Sequence, residues 1–377
     1  MLAIAMTLPV ASADVSNDTI RAFNQALESG DGPQIIEASK DLAAAAVANP
    51  DQDQSVLFAF EAANQLCTLG QCPEAVAASG FIASAPITDP TEHPIAEDRM
   101  LLDAFSNWSA NSTRAKRRDL DAALERVVSL QPTTLSIKAF EARYYSDHTG
   151  GKVRQAAKSA GQAGDHIRPV AEQVPSAYVT AEYLAAISTF NSSQHANAQR
   201  DMTHLQGWLG QYEAKFGEDT PEWISKQYFN AFAWRLAMSA WFQSTGNGGV
   251  SDSETETILA GYQTAAPEPE GHADADQMTV SGLPFCEGQM NQTPKLRYRA
   301  GQGQRGFYGA VIARFDIESG RVVNPVVKAS VPVDEFDEQA LKSISQWTWE
   351  AAAGQIPGEN CGMDRIGVVL PLVFQLD

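Results

Sequence analysis

Helix breakers recur along most of this chain, roughly every twenty residues: Gly30 to Pro33, Pro50-Asp51, Gly70 to Pro73, Asp89-Pro90, Asn111-Ser112, Gln131-Pro132 and Gly150-Gly151. The series continues with Pro169 to Pro175, Asn191 to Ser193, Gly217 to Pro221 and Gly246 to Gly249. Such spacing leaves room for one helix of about four turns and a short loop, repeated. A pair of helices then occupies about forty residues, which is the period of α-hairpin solenoids. The breakers end at Ala265 to Gln277, where proline, acid and small residues alternate without apolar periodicity, the pattern of an interdomain linker.

The segment Phe60 to Leu66, followed by Leu69-Gly70 and by Glu74-Ala75-Val76, resembles a tetratricopeptide turn, in which Leu-Gly ends one helix and Glu-Ala opens the next. Here Gly70 is the expected C-cap and Pro73 the expected start of the following helix. Pro221 to Gln243 carries Trp223, Trp234 and Trp241 within about 20° of one another on a helical wheel, and Ile224, Tyr228, Phe229, Phe232, Leu236 and Phe242 cover most of the rest. A helix apolar nearly all round is expected inside a core, with an aromatic groove for a peptide or glycan as the alternative.

After the linker the pattern changes. Phe307 to Ile317 and Val322 to Ser330 are β-branched and aromatic runs separated by Glu318, Ser319 and Gly320, a hairpin signal with glycine where a positive φ is cheap. Asp334 then offers an N-cap carboxylate, and Phe336, Ala340, Ile344 and Trp347 recur at helical spacing on one face. That face needs a sheet to cover. Gly367 to Gln375 supplies a third strand, and the order strand, strand, helix, strand predicts a small two-layer α+β domain. One crossover helix sends the third strand in the direction of the second, outside the hairpin and at a sheet edge. Pro371 agrees, because a proline is tolerated where its missing N–H faces outward.

Gly306 to Gly309 before the first strand, Phe336-Asp337 to Ala340-Leu341 at the helix start, Trp347-Thr348-Trp349 at its end and the closing Gly367 to Phe374 also carry a resemblance. Over residues from about 290 to 377, they resemble the C-terminal domain of TonB-family proteins, envelope proteins that grip an extended peptide by adding it as a strand to a small sheet. The family's Tyr-Pro pair before the first strand is missing, since Tyr298 is followed by Arg299. The resemblance implies a partner-binding edge at Gly367, Val368, Val369, Leu370, Leu372, Val373, Phe374 and Gln375. It also implies a periplasmic location and a link to TonB-dependent transport. The partner would be an extended segment of an envelope or outer-membrane protein, or a second copy of the domain.

Other features bound this reading. Met1 to Ala13 is a short apolar run ending in Ala11-Ser12-Ala13, the pattern of a signal peptide. No other segment approaches the length of a membrane span, so none is expected in the mature chain. Four cysteines fit an oxidising compartment: Cys67 with Cys72 would staple one helical turn, and Cys286 with Cys361 would close a loop of about 75 residues, worth about 4 kcal/mol by chain entropy. A metal site or redox pair is the competing reading, but a four-residue gap does not fit redox spacing and no histidine lies near either pair. The formal charge of −19 disfavours phosphate backbones, and nucleic acid is an unexpected partner.

Catalysis finds no foothold. Gly301 to Gly306 spells a dinucleotide motif but precedes a strand, and Gly150-Gly151-Lys152 lacks the rest of a phosphate loop. The histidines, at 93, 148, 166, 195, 204 and 272, never fall at zinc-motif spacing, and Asp147-His148 reads as a loop pair. Lys116, Arg117 and Arg118 read as a solvated helix face that could receive an acidic partner. The expected chain is a signal peptide (1–13), an all-α tetratricopeptide-like array (14–263), a flexible acidic linker (264–280) and a TonB-like α+β domain (281–377). It is an interaction protein with no cofactor and no enzymatic role. Two other readings stay open: a helical scaffold whose sheet domain is only a stabilising or dimerising cap, and a periplasmic enzyme with a site assembled from distant residues.

Overall fold

The computed structural model describes residues 15–52, 54–87, 93–192, 195–246, 249–263, 283–292 and 309–374. The expected signal peptide (1–13), the expected linker (264–280), the Gly301 to Gly306 motif and Gln375 lie outside them. The chain groups into two compact units, Met1–Tyr178 and Val179–Asp377.

In the first unit the helices are α1 (Asn17–Ser29), α2 (Gly32–Ala48), α3 (Ser55–Thr68), α4 (Val76–Ser84), α5 (Ala96–Ala110), α6 (Arg114–Val127), α7 (Thr134–Thr149) and α8 (Val153–Ile167). The division between units falls inside α9 (Pro175–Asn191). Local chemistry sets the helix ends. Ser16 accepts the amide of Thr19 to cap α1, Thr113 accepts that of Lys116 to cap α6, and Thr133 with Ser136 makes a reciprocal capping box on α7. After α3, Gly70 takes φ +76°, and the amides of Gly70 and Gln71 donate to the carbonyls of Cys67 and Leu66. This Schellman pattern satisfies carbonyls that the helix leaves open. Pro73 then opens a single 3-10 turn, Cys72–Ala75, rather than α4 itself. The Cys67–Cys72 disulfide spans the turn. Each helix packs on the next, and α3 and α5 also meet α7, through buried Leu42, Leu66, Leu101, Leu102 and Leu120 interleaved with alanines that let helix axes approach.

The second unit continues with α10 (His195–Phe216), α11 (Glu222–Thr245) and α12 (Asp252–Gln263). Its sheet comprises β1 (Gly288–Asn291), β2 (Gly309–Glu318), β3 (Arg321–Val331), β4 (Thr348–Ala351) and β5 (Arg365–Phe374), with α13 (Asp337–Ile344) between β3 and β4. All pairings are antiparallel, in the order β1-β4-β3-β2-β5. Ser319 and Gly320 both have positive φ, so β2 and β3 join through the two-residue turn whose twist suits a hairpin. As the spacing predicts, Phe336, Ala340, Ile344 and Trp347 are buried together, against Val311, Ala313, Phe315 and Ile317 of β2 and Leu372 and Phe374 of β5.

The structure corrects three expectations here. Asp334 is not the N-cap: it sits at φ +62°, the helix starts at Asp337, and Phe336 occupies the cap position without a side-chain bond. Trp349 does not end the helix. Thr348 and Trp349 favour extended backbone and pair with β1, and the Trp349 Nε1 donates to the Cys286 carbonyl at 3.0 Å. The sheet therefore has five strands instead of three, the two additional ones being four residues long. Cys286 and Cys361 form the second disulfide, which ties the residue before β1's lead-in to the segment before β5.

The third correction concerns layers. Ala233 and Ala237 of α11 lie against Ala310 and Ile312 of β2 and Ala329 and Val331 of β3, with Phe229, Phe232 and Leu236 around them. Small residues on both sides allow the close approach. The opposite flank of α11, with Trp223 and Trp241, joins the core it shares with α10, and Trp234 packs against both clusters. The sheet is thus covered on one face by α13 and on the other by α11, a three-layer arrangement instead of the expected two. Helices that precede the expected linker group with the sheet and not with α1 to α8. Among the described residues no helix is long and apolar enough to cross a membrane.

Candidate functional site

β5 ends the sheet. It runs beside β2 from Gly309↔Phe374 to Ile317↔Arg365, and no described strand lies on its far side. The other edge, β1, offers only four residues and is held by the disulfide at Cys286. β5 is therefore the long open edge, and Phe374 fixes its end by stacking on Phe336 with ring centroids 4.3 Å apart.

The two-residue period of a strand divides the expected site residues into two sets. Val368, Leu370, Leu372 and Phe374 direct their side chains into the core under α13. Val369, Pro371 and Val373 lie on the other face, where Val369 is 41% and Val373 42% exposed. Backbone polar groups alternate as well. Pro371, opposite Ile312, is tolerated because its nitrogen faces away from β2, so the amides of Val369 and Val373, in the same unbroken register, face the open edge too. Gly367 is already engaged: its amide donates to Asp316 Oδ1 at 2.8 Å. Its φ of +74° and the nearby Arg314 guanidinium, 3.3 Å from where a Cβ would stand, leave no comfortable place for a side chain. An added strand thus finds donors at Val369 and Val373, flanked by a proline that donates nothing. The expected site residues are brought onto one edge, with Gln375 beyond the described residues. What sequence reasoning missed is the engagement of Gly367 by Asp316, for which the sequence carries no signal.

Asp147 and Arg117, expected in a loop and on a solvated helix face, are both partnered. Asp147 is not in a loop: it lies in α7, fully buried, and accepts from Arg117 Nη2 at 2.6 Å, from Ser159 Oγ at 3.0 Å and from Arg143. Arg117 and Arg143 also pair with Asp121. Arg117 is thus part of an interhelical network and not merely a solvated face. Burial pushes its pKa down and that of Asp121 up, and their mutual attraction opposes both shifts. A signal was present, since Arg117/Asp121 and Arg143/Asp147 both stand four apart. Among the described residues no group of three or more His, Cys, Asp or Glu side chains is placed to hold a metal ion. No protein family, curated protein or solved structure matches the chain.

Proposed function

We propose that this chain is an exported interaction protein whose second unit takes up an extended peptide segment as a further strand along β5. The observation that carries the reading is a ten-residue edge strand at the end of the sheet order, beside which no described strand lies. An open edge of that length invites pairing unless it is covered or used. The resemblance to the TonB C-terminal domain supplies the kind of partner, an extended segment of an envelope or outer-membrane protein in the periplasm. The two disulfides fit the oxidising compartment this requires. The helices of the first unit serve as a tetratricopeptide-like scaffold.

Backbone pairing gives affinity in this mode, and side-chain pockets give specificity. Two available donors limit the first, and Val369 and Val373 supply the second by presenting apolar surface to alternate residues of the incoming strand. Immobilised protein should capture an envelope protein from membrane extract. Capture should be lost in Val369→Pro, which removes an outward donor without touching the β2 ladder. Capture unchanged in that variant, with circular dichroism showing an intact fold, would place the binding surface elsewhere.

A further inference from the structure

The first unit contains a cavity of about 1100 Å³ between the N-terminal ends of α6 and α8, lined by Arg114, Arg117, Arg118, Arg143, Lys152 and Arg154. In a chain with a formal charge of −19, such a concentration of cations needs a reason. Arg117 and Arg143 have one: they engage Asp121 and buried Asp147. The side chains of Arg114, Arg118, Lys152 and Arg154 have no carboxylate partner among the described residues, and all four are exposed around the opening. Four positive charges of like sign around one concavity repel each other. Structure alone gains nothing from that arrangement.

The backbone adds to the same field. Both helices exceed a dozen residues, and both open toward the cavity at the end where the helix dipole is positive. Lys152, the N-cap of α8, makes no side-chain capping bond, so the first-turn amides of Val153, Arg154 and Gln155 have no cap from that residue. Gly150-Gly151, with Gly151 at φ +67°, carries the chain sharply into that turn and keeps the approach clear of side chains. The Gly-Gly-Lys triplet is not a phosphate loop, yet it stands at an open helix N-terminus inside a basic cavity.

We propose that this cavity binds a compact molecule bearing two or more tetrahedral oxyanion groups, phosphate or sulfate. Guanidinium forks match the paired oxygens of such groups, and arginine supplies three of the four uncompensated side chains. The cavity's volume is at the scale of a whole small ligand and exceeds what one phosphate would fill. Arg117 and Arg143 act as positioning residues: pinned by Asp121 and Asp147, they hold the cavity floor while the outer four side chains meet the anion.

Titration calorimetry of the full chain at low salt tests this, with tripolyphosphate, sucrose octasulfate, orthophosphate and hexaglutamate as probes. The expected result is one site per chain for tripolyphosphate or the octasulfate, with orthophosphate much weaker and affinity falling as salt rises. The two polyanions tell a phosphate source from a sulfate one. The triple variant R114Q/R118Q/R154Q removes only exposed, unpaired cations, so its melting temperature should be unchanged while affinity drops at least tenfold. Lys152→Gln should give a smaller loss. The proposal is overturned if neither polyanion binds, or if the triple variant binds them as well as the parent does. It is equally overturned if hexaglutamate binds as tightly as the polyanions, which would make the cavity a site for acidic peptide.

Discussion

His166 shows how a single side chain in the first unit ties folding to pH. It is buried, its Nδ1 lies 3.1 Å from the Val128 carbonyl and its Nε2 2.8 Å from Ser136 Oγ. The carbonyl can only accept, so Nδ1 carries the hydrogen and Nε2 accepts from the hydroxyl. Burial lowers the pKa below the ordinary 6.5, and the bond to Val128 opposes that only in part. The unfolded chain therefore takes up a proton that the folded chain refuses. Stability is fully present above about pH 6.5, falls as the pH drops through that value, and stops falling once it is below the folded-state pKa. The loss is at most about 1.4 kcal/mol per pH unit for one proton. Denaturant titrations between pH 7.5 and 5 should show this slope, and His166→Gln should flatten it whatever its own stability. An unchanged slope in the variant would remove His166 from the account. None of this was legible in the sequence, because one histidine among six gives no sign of which will be buried. The Arg117–Asp147 contact was equally hidden, since spacing suggests pairs within a helix and not between helices.

Helices and strands were far more readable. Among the described residues, the breakers noted in the sequence lie between two helices or at a helix end, because glycine and proline act through backbone geometry that tertiary packing seldom overrides. The hairpin, the buried face of α13 and the edge placement of β5 follow from periodicity and turn chemistry in the same way. β1 and β4 escaped because four-residue strands leave too little alternation to detect, and because Trp349 continues an apparently helical apolar pattern. α11 illustrates the limit of pattern reading: an apolar circumference shows that a helix is enclosed but not by what. Its contact with the sheet predicts a specific sensitivity. Ala237→Leu inserts bulk between α11 and β2–β3 and should cost about 1–3 kcal/mol, measured as a lowered denaturation midpoint. A substitution there that leaves stability unchanged would mean that α11 does not seat on the sheet.

At the scale of the molecule, the composition shift near Pro267 invites a division between a helical part and a sheet part. The compact units divide elsewhere, because packing and not composition decides which elements share a core. Without α11, one face of the sheet would expose Ala310, Ile312, Ala329 and Val331 to water. With α13 and α11 seated on its two faces, the sheet meets the proposed partner at the β5 edge, where four of the expected residues are committed to the core and the amides of Val369 and Val373 face outward. Residue-resolved hydrogen exchange, with and without a captured envelope peptide, tests this most directly. New protection is expected at the amides of Val369 and Val373, with Val368 and Leu372 already slow in the free protein because they face β2. Protection gained elsewhere, with Val369 and Val373 exchanging as fast in the complex as in the free chain, would contradict it.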